Sequence, residues 1–329
     1  MRDIRTILAL AALVAAWMPG VAVAQTRLAV EVTNSTANGA TVVGDEVTLQ
    51  LYKGQKPVNS LPAKAGEDGK AVFENLPTGQ DMAAVPRARH QNMAFHGQPL
   101  ALSTTAKELS ASVQVFDVST DTSKLSVGTH HVMIAVRSGS LEFTEYLQLS
   151  NSFDMAVTGA RRDSQDRPIV IEVKLPEGFK DLTASSYFEQ QALVVTPDGF
   201  YDTMAVPPGE HQVTFSYKVG IERGTVKIVK EMTLPTSELT VFWEQGQGRL
   251  EGLGEPNDRL ANAEGVPLEY YQRSDLKPGD RIAFQISGFT AKRSDPYTWI
   301  VLAAVFAAIV AVALLRLRPR PVGSGQRHA

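Results

Sequence analysis

The sequence predicts an all-β protein: two tandem antiparallel β-sandwich regions followed by one C-terminal transmembrane helix. Three observations carry that expectation. From Arg27 to about residue 290 the chain consists of short alternating apolar and polar runs, cut by Gly, Pro and Asn turns. No stretch of that region keeps a helical period. The run from Trp299 to Leu315 then contains only Trp, Ile, Val, Leu, Ala and Phe.

Residues 1–24 read as a secretory signal peptide. Arg2 and Arg5 make a basic start, Ile7 to Trp17 is an apolar run of 11 residues, and Pro19-Gly20 breaks it. Ala22-Val23-Ala24 supplies the small residues that signal peptidase needs, which places cleavage between Ala24 and Gln25. The competing reading, an uncleaved anchor, requires a longer apolar run to span hydrocarbon. No Cys follows, so a lipoprotein anchor is excluded.

The first β region, residues 25–118, opens with Leu28-Ala29-Val30-Glu31-Val32. In the next strand, Glu46–Tyr52, Val47, Leu49 and Leu51 share one face. Gly66-Glu67-Asp68-Gly69 turns into Lys70–Glu74, and Asn75-Leu76-Pro77-Thr78-Gly79 turns again; further strands are expected at 92–96 and 112–117. The segment AGEDGKAVFENLPTG, residues 65–79, with the preceding VTLQLYK, residues 47–53, resembles the core motif of carboxypeptidase regulatory-like domains. That resemblance covers residues 27–118 and implies a transthyretin-like sandwich that is accessory and non-catalytic.

The second region, 119–290, carries strand patterns at His130–Arg137, Leu141–Leu149, Ile169–Leu175, Ala192–Thr196, His211–Val219, Val226–Leu234, Glu238–Trp243 and Arg281–Ser287. Eight such strands suggest an immunoglobulin-like sandwich. In His211–Tyr217, Val213, Phe215 and Tyr217 face one way. Gly246 to Gly265 reads as a long loop, and the whole chain resembles membrane-anchored bacterial regulatory-like proteins.

Residues 291–296 form a short stalk. Tyr297 to Leu315 is 19 residues, or roughly 28 Å of helix at about 1.5 Å per residue. Tyr297 and Trp299 fall where an aromatic belt lies, and Arg316, Arg318 and Arg320 begin an acid-free tail, 316–329. The positive-inside rule puts that tail in the cytoplasm and the ectodomain in the periplasm or outside, on the plasma (inner) membrane. A cleavable sorting tail is the alternative; the upstream residues, Ser294-Asp295-Pro296-Tyr297, lack an LPxTG-type motif. A periplasm-dependent reporter fused after Arg293 is expected to be active, and one fused after Arg320 silent. The reverse pattern overturns the orientation.

Removing the signal peptide (Arg2, Arg5, Asp3) and four tail arginines leaves 26 basic and 34 acidic residues, a net charge of -8. Such an ectodomain argues against nucleic acid as a partner. With no Cys, disulfides, thiol catalysis and thiolate metal sites are excluded.

Histidine chemistry is sparse. A metallocarboxypeptidase HxxE pair is absent: Met93, Pro99, Met133, Ile134 and Thr214 stand three places after His90, His96, His130, His131 and His211. His130 and His131 point to opposite faces of a strand, one packed and one solvated. His90 and His96 can converge across a hairpin, but two ligands do not make a zinc site. Glu108, Asp117 and Asp121 near the junction, and Asp154, Asp163 and Asp166 in a loop, match no calcium-loop spacing and read as solvated charge. There is no G-x-S-x-G, and Gly246-Gln247-Gly248 lacks the rest of a phosphate fingerprint. Trp243 and Tyr270-Tyr271 are the aromatic platforms to check for carbohydrate binding. The expectation is therefore a non-catalytic membrane-anchored envelope protein, without catalytic residues, metal or cofactor, that binds or supports another envelope protein. The alternative is a hydrolase or metal-dependent enzyme assembled from scattered residues.

Overall fold

In the computed structural model the described residues are 26–105, 107–137, 139–221, 224–261 and 267–289. The signal-peptidase residues Ala22, Ala24 and Gln25 lie outside them, as do the stalk, the Tyr297–Leu315 helix and Arg316, Arg318 and Arg320. No helix among the described residues is long and apolar enough to cross a membrane. The described chain is all-β; one 3-10 turn, Thr122–Lys124, is its only helical element. It divides into two compact units, one ending at Asp117 and the other beginning at Val118.

The first unit holds β1 (Thr26–Asn34), β2 (Glu46–Lys53), β3 (Lys56–Lys64), β4 (Lys70–Leu76), β5 (Met82–His90), β6 (Met93–His96), β7 (Leu100–Ala101) and β8 (Glu108–Val115). One sheet runs β4-β1-β8; the other runs β3-β2-β5-β6, with β7 also paired to β5. The alternation expected in β1 and β2 is what buries Leu28, Val30 and Val32, and Val47, Leu49 and Leu51. β3 has no alternation because it is an edge strand, almost wholly exposed. Pro57 and Pro62 within it lack the N–H that an incoming strand needs, which blunts that edge.

The second unit begins with β9 (Val118–Ser119), β10 (Leu125–Arg137), β11 (Ser140–Asn151), β12 (Ala156–Val157), β13 (Ile171–Lys174), β14 (Phe179–Ser186), β15 (Leu193–Thr196) and β16 (Gly199–Asp202). It continues with β17 (Gly209–Gly220), β18 (Thr225–Glu231), β19 (Thr236–Glu244), β20 (Arg249–Glu251), β21 (Asp258–Ala261), β22 (Pro267–Leu276) and β23 (Arg281–Ser287). A seven-stranded sheet, β14-β17-β11-β10-β19-β22-β21, is joined by three smaller ones: β13-β16-β15, β18-β23-β20 and β12-β9. Their buried faces share one core that includes Trp243, Phe143, Phe200, Phe215 and Ile286.

Two expectations need correction, and one strand holds an irregularity. Pairing is not wholly antiparallel: β1–β8, β10–β19 and β9–β12 are parallel. Each joins strands far apart in sequence, where no tight hairpin dictates direction. Gly246–Gly265 is not all loop, since β20 and β21 fall inside it. The β10 alternation also changes phase. An extra residue against β11 between Val127 and His130 makes a bulge at Gly128-Thr129. Leu125 and Val127 are buried before it, and His130, Val132 and Ile134 after it.

Candidate functional site

Three clusters of buried titratable groups stand out among the described residues. The most enclosed lies in the second unit, where β11 and β18 each turn a charge inward. Along β11 the inward positions run Leu141, Phe143, Glu145, Leu147 and Leu149; along β18 they run Val226, Ile228 and Lys230. Glu145 is 0% exposed and Lys230 is 1% exposed, so neither charge reaches water. Lys230 Nζ and Tyr217 Oη each donate to Glu145 Oε1 at 2.6 Å. His130 Nε2, 2.7 Å from Glu145 Oε2, completes the group. A carboxylate only accepts, so that nitrogen carries the proton.

Burial alone raises the Glu145 pKa, but the Lys230 ammonium and the His130 hydrogen bond outweigh it and pull it down to about 2. His130 is pushed below its ordinary range by burial, with Glu145 opposing. Tyr217 is pushed up by burial and by the Glu145 charge. The phenol ring stacks on Phe143 at 4.8 Å and lies 5.8 Å below Lys230 Nζ. A cavity of about 30 Å³ borders His130 and Lys230 between β13 and the end of β18. That is room for a water or two, not for a substrate.

In the first unit, four strand ends bring Asn34, Asp45, His90 and Asp117 together. His90, 2% exposed, places Nδ1 2.7 Å from Asp45 Oδ2 and Nε2 3.0 Å from Asp117 Oδ1. Asp117 also accepts from Asn34 Nδ2 at 2.8 Å and from Ala40 N at 3.1 Å. Burial raises its pKa, but these bonds outweigh that and leave it below the usual carboxylate range.

The third cluster centres on Asp202, at the end of β16. Gly199 sets that strand close to β13: its φ is 148°, and a Cβ there would lie 2.0 Å from the Val173 carbonyl oxygen. Asp202 is 0% exposed, and Met204 N donates to its Oδ1 at 3.2 Å. Its Oδ2 is buried without a hydrogen-bond partner among the described residues, as is the Tyr187 hydroxyl. Burial pushes Asp202 up to about 7, against the Met204 and Thr203 amides, and Glu189 adds to the rise. Tyr187 is raised by burial and by the Asp202 charge.

Other residues singled out in the sequence are dispersed. His96 lies opposite Arg87, whose Nε donates to it at 3.2 Å, so His90 and His96 do not converge. His130 is buried, while half-buried His131 packs edge-on against Phe242 at 5.3 Å. Asp121 caps the 3-10 turn through Ser123 N. Asp163 is not solvated loop charge: it accepts from the Gln165 and Arg167 amides, Arg167 Nε and Tyr201 Oη. Those bonds outweigh burial and take its pKa down to about 2. Trp243 and Tyr271 are core residues and offer no platform. Half-buried Tyr270 packs 6.2 Å from Phe242.

Among the described residues no group of three or more His, Cys, Asp or Glu is placed to hold a metal. The larger hollows are open. One of about 440 Å³ is lined by Gly246, Gly248, Arg249, Ser287 and Gly288. Another of about 210 Å³ is flanked by Glu142, Asp181 and Lys218.

No family model matches this chain, and no curated protein does. Among solved structures it is similar to the major plantain pollen allergen Pla l 1, at 12% identity and a TM-score of 0.19, covering 27% of this chain and 93% of that one. It is also similar to an M1 zinc metallopeptidase from Deinococcus radiodurans bound to a Tyr-Ser-Ala substrate. That match has 10% identity and a TM-score of 0.31, and covers 50% of this chain and 42% of that one. Neither likeness carries an argument about function.

Proposed function

We propose that this chain is a non-catalytic envelope protein. In this reading its two β units are tandem sandwiches, the first carboxypeptidase regulatory-like and the second immunoglobulin-like, held at the membrane by Tyr297–Leu315. They bind or support another envelope protein. The observation that supports it is the internal use of charge. The Glu145 and His90 clusters are closed on themselves, whereas catalysis needs titratable groups facing a concave site that admits substrate. A partner then meets surface groups, among them Val195 on edge strand β15 and Val229 on edge strand β18, 57% and 40% exposed.

Asp202 favours the alternative, an enzyme, because a buried acid titrating near neutrality is a frequent property of active sites. Metal content and melting of the full chain in detergent separate the metal-dependent form of that alternative. Substoichiometric transition metal, and a melting temperature unmoved by a chelator, are expected. A stoichiometric metal whose removal lowers the melting temperature overturns the proposal.

A further inference from the structure

We infer that Asp45, His90 and Asp117 form a proton-operated latch that fastens the Asn34–Ala40 loop and the last residue of the first unit. The inference goes beyond the proposed function and does not depend on it. Both nitrogens of His90 face carboxylate oxygens, Nδ1 to Asp45 at 2.7 Å and Nε2 to Asp117 at 3.0 Å. A carboxylate offers only lone pairs, so both contacts are attractive only when both nitrogens carry hydrogen. The arrangement matches an imidazolium between two anions.

Loss of one proton leaves a lone pair on one nitrogen. If Nδ1 keeps its hydrogen for the shorter Asp45 contact, Nε2 becomes an acceptor facing the Asp117 anion. The nearest donor is then Asn34 Nδ2, 3.4 Å away. Both of its hydrogens are already engaged, one with Ala40 O at 2.8 Å and one with Asp117 Oδ1 at 2.8 Å. Serving the neutral ring therefore releases either Ala40 or Asp117. These contacts hold the loop. Ala40 N donates to both Asp117 oxygens at 3.1 Å, Thr36 N donates to Asn34 Oδ1 at 3.0 Å, and Asp117 N donates to Thr36 Oγ1 at 2.9 Å.

The charged groups that face the ring are Asp45, ahead of β2, and Asp117, after β8; Asn34 at the end of β1 adds a neutral amide. Gly39 packs against that amide so closely that a Cβ would lie 2.5 Å from Asn34 Nδ2. Re-aiming the amide gives up its bond to Ala40 O and so frees the loop. The latch is closed while both ring nitrogens carry hydrogen and loosens when one of them loses it.

Hydrogen exchange of the full chain in detergent, at about pH 5.5 and about pH 8.5 with intrinsic rates corrected, reads the latch. Protection of the Thr36, Ala40 and Asp117 amides is expected to fall about tenfold at the higher pH, the scale of one charge-assisted hydrogen bond. Strands β2 and β5 should keep theirs. His90→Gln, which presents one pH-independent donor, should abolish the difference. If that variant does not fold, the His90 ring in the native protein is read by tautomer-sensitive nitrogen shifts over the same range. Equal loop protection at both pH values overturns the latch. So does an unchanged pH difference in His90→Gln, or a ring that keeps one protonation state while the loop loosens.

Discussion

Asp202→Asn is expected to stabilise the protein at pH 8 while leaving it little changed at pH 4. The wild-type carboxyl is fully enclosed, with one oxygen lacking a partner among the described residues, and its pKa rises from 3.8 to about 7. Between those values the folded protein holds a proton that the unfolded chain has released. Stability therefore falls as pH climbs through that window and levels off above it. The gap of about three pH units, at about 1.4 kcal/mol each, caps the effect at about 4 kcal/mol. An amide of the same shape does not titrate, so the variant should lack that fall. Chemical denaturation of both proteins across the window measures this. A variant that parallels the wild type at every pH removes the buried acid as the cause.

The second large effect is expected at Glu145. Replacing it with Gln leaves Lys230, 1% exposed, without its counter-charge, and breaking such a pair costs about 3–5 kcal/mol. Lys230→Met, which leaves the carboxylate to His130 and Tyr217, should cost a similar amount. The double variant should lose clearly less than the two single losses combined, because each single loss is mostly the cost of the stranded partner. Acid unfolding should show the same group. The Glu145 pKa is depressed from 4.5 to about 2, so its contribution is complete above about pH 4.5 and disappears as pH falls toward 2. Additive single losses in denaturant titrations disprove the coupling.

These groups differ in how legible they were. Glu145 and Lys230 each stand on the apolar phase of an alternating strand, between Phe143 and Leu147 and beyond Ile228. Opposite charges on two inward phases were a readable signal of a buried pair, and a search confined to ligand spacings passes over it. The His90 cluster was not readable, because its members are gathered from four strand ends across 83 positions. Local periodicity says nothing about which ends coincide. β3 escaped for another reason. Its two prolines and lack of alternation resemble a loop, and only the neighbouring β2 makes it a strand. The β1 and β2 faces were legible throughout, since one buried side suffices to write a period of two.

The bulge in β10 has a consequence for how the gene can change. Most strand ends absorb a one-codon loss by sliding into the adjoining turn. Here Leu125 and Val127 point inward on odd numbers, and His130, Val132 and Ile134 on even ones. Removing a residue at Gly128 or Thr129 leaves a single phase for the whole strand. Both sets then fall on that phase and still face inward, so the loss straightens the bulge and keeps His130 beside Glu145. The codon for Gly128 or Thr129 can therefore be lost without turning either set outward, whereas losing one between His130 and Ile134 turns part of the strand to the wrong face.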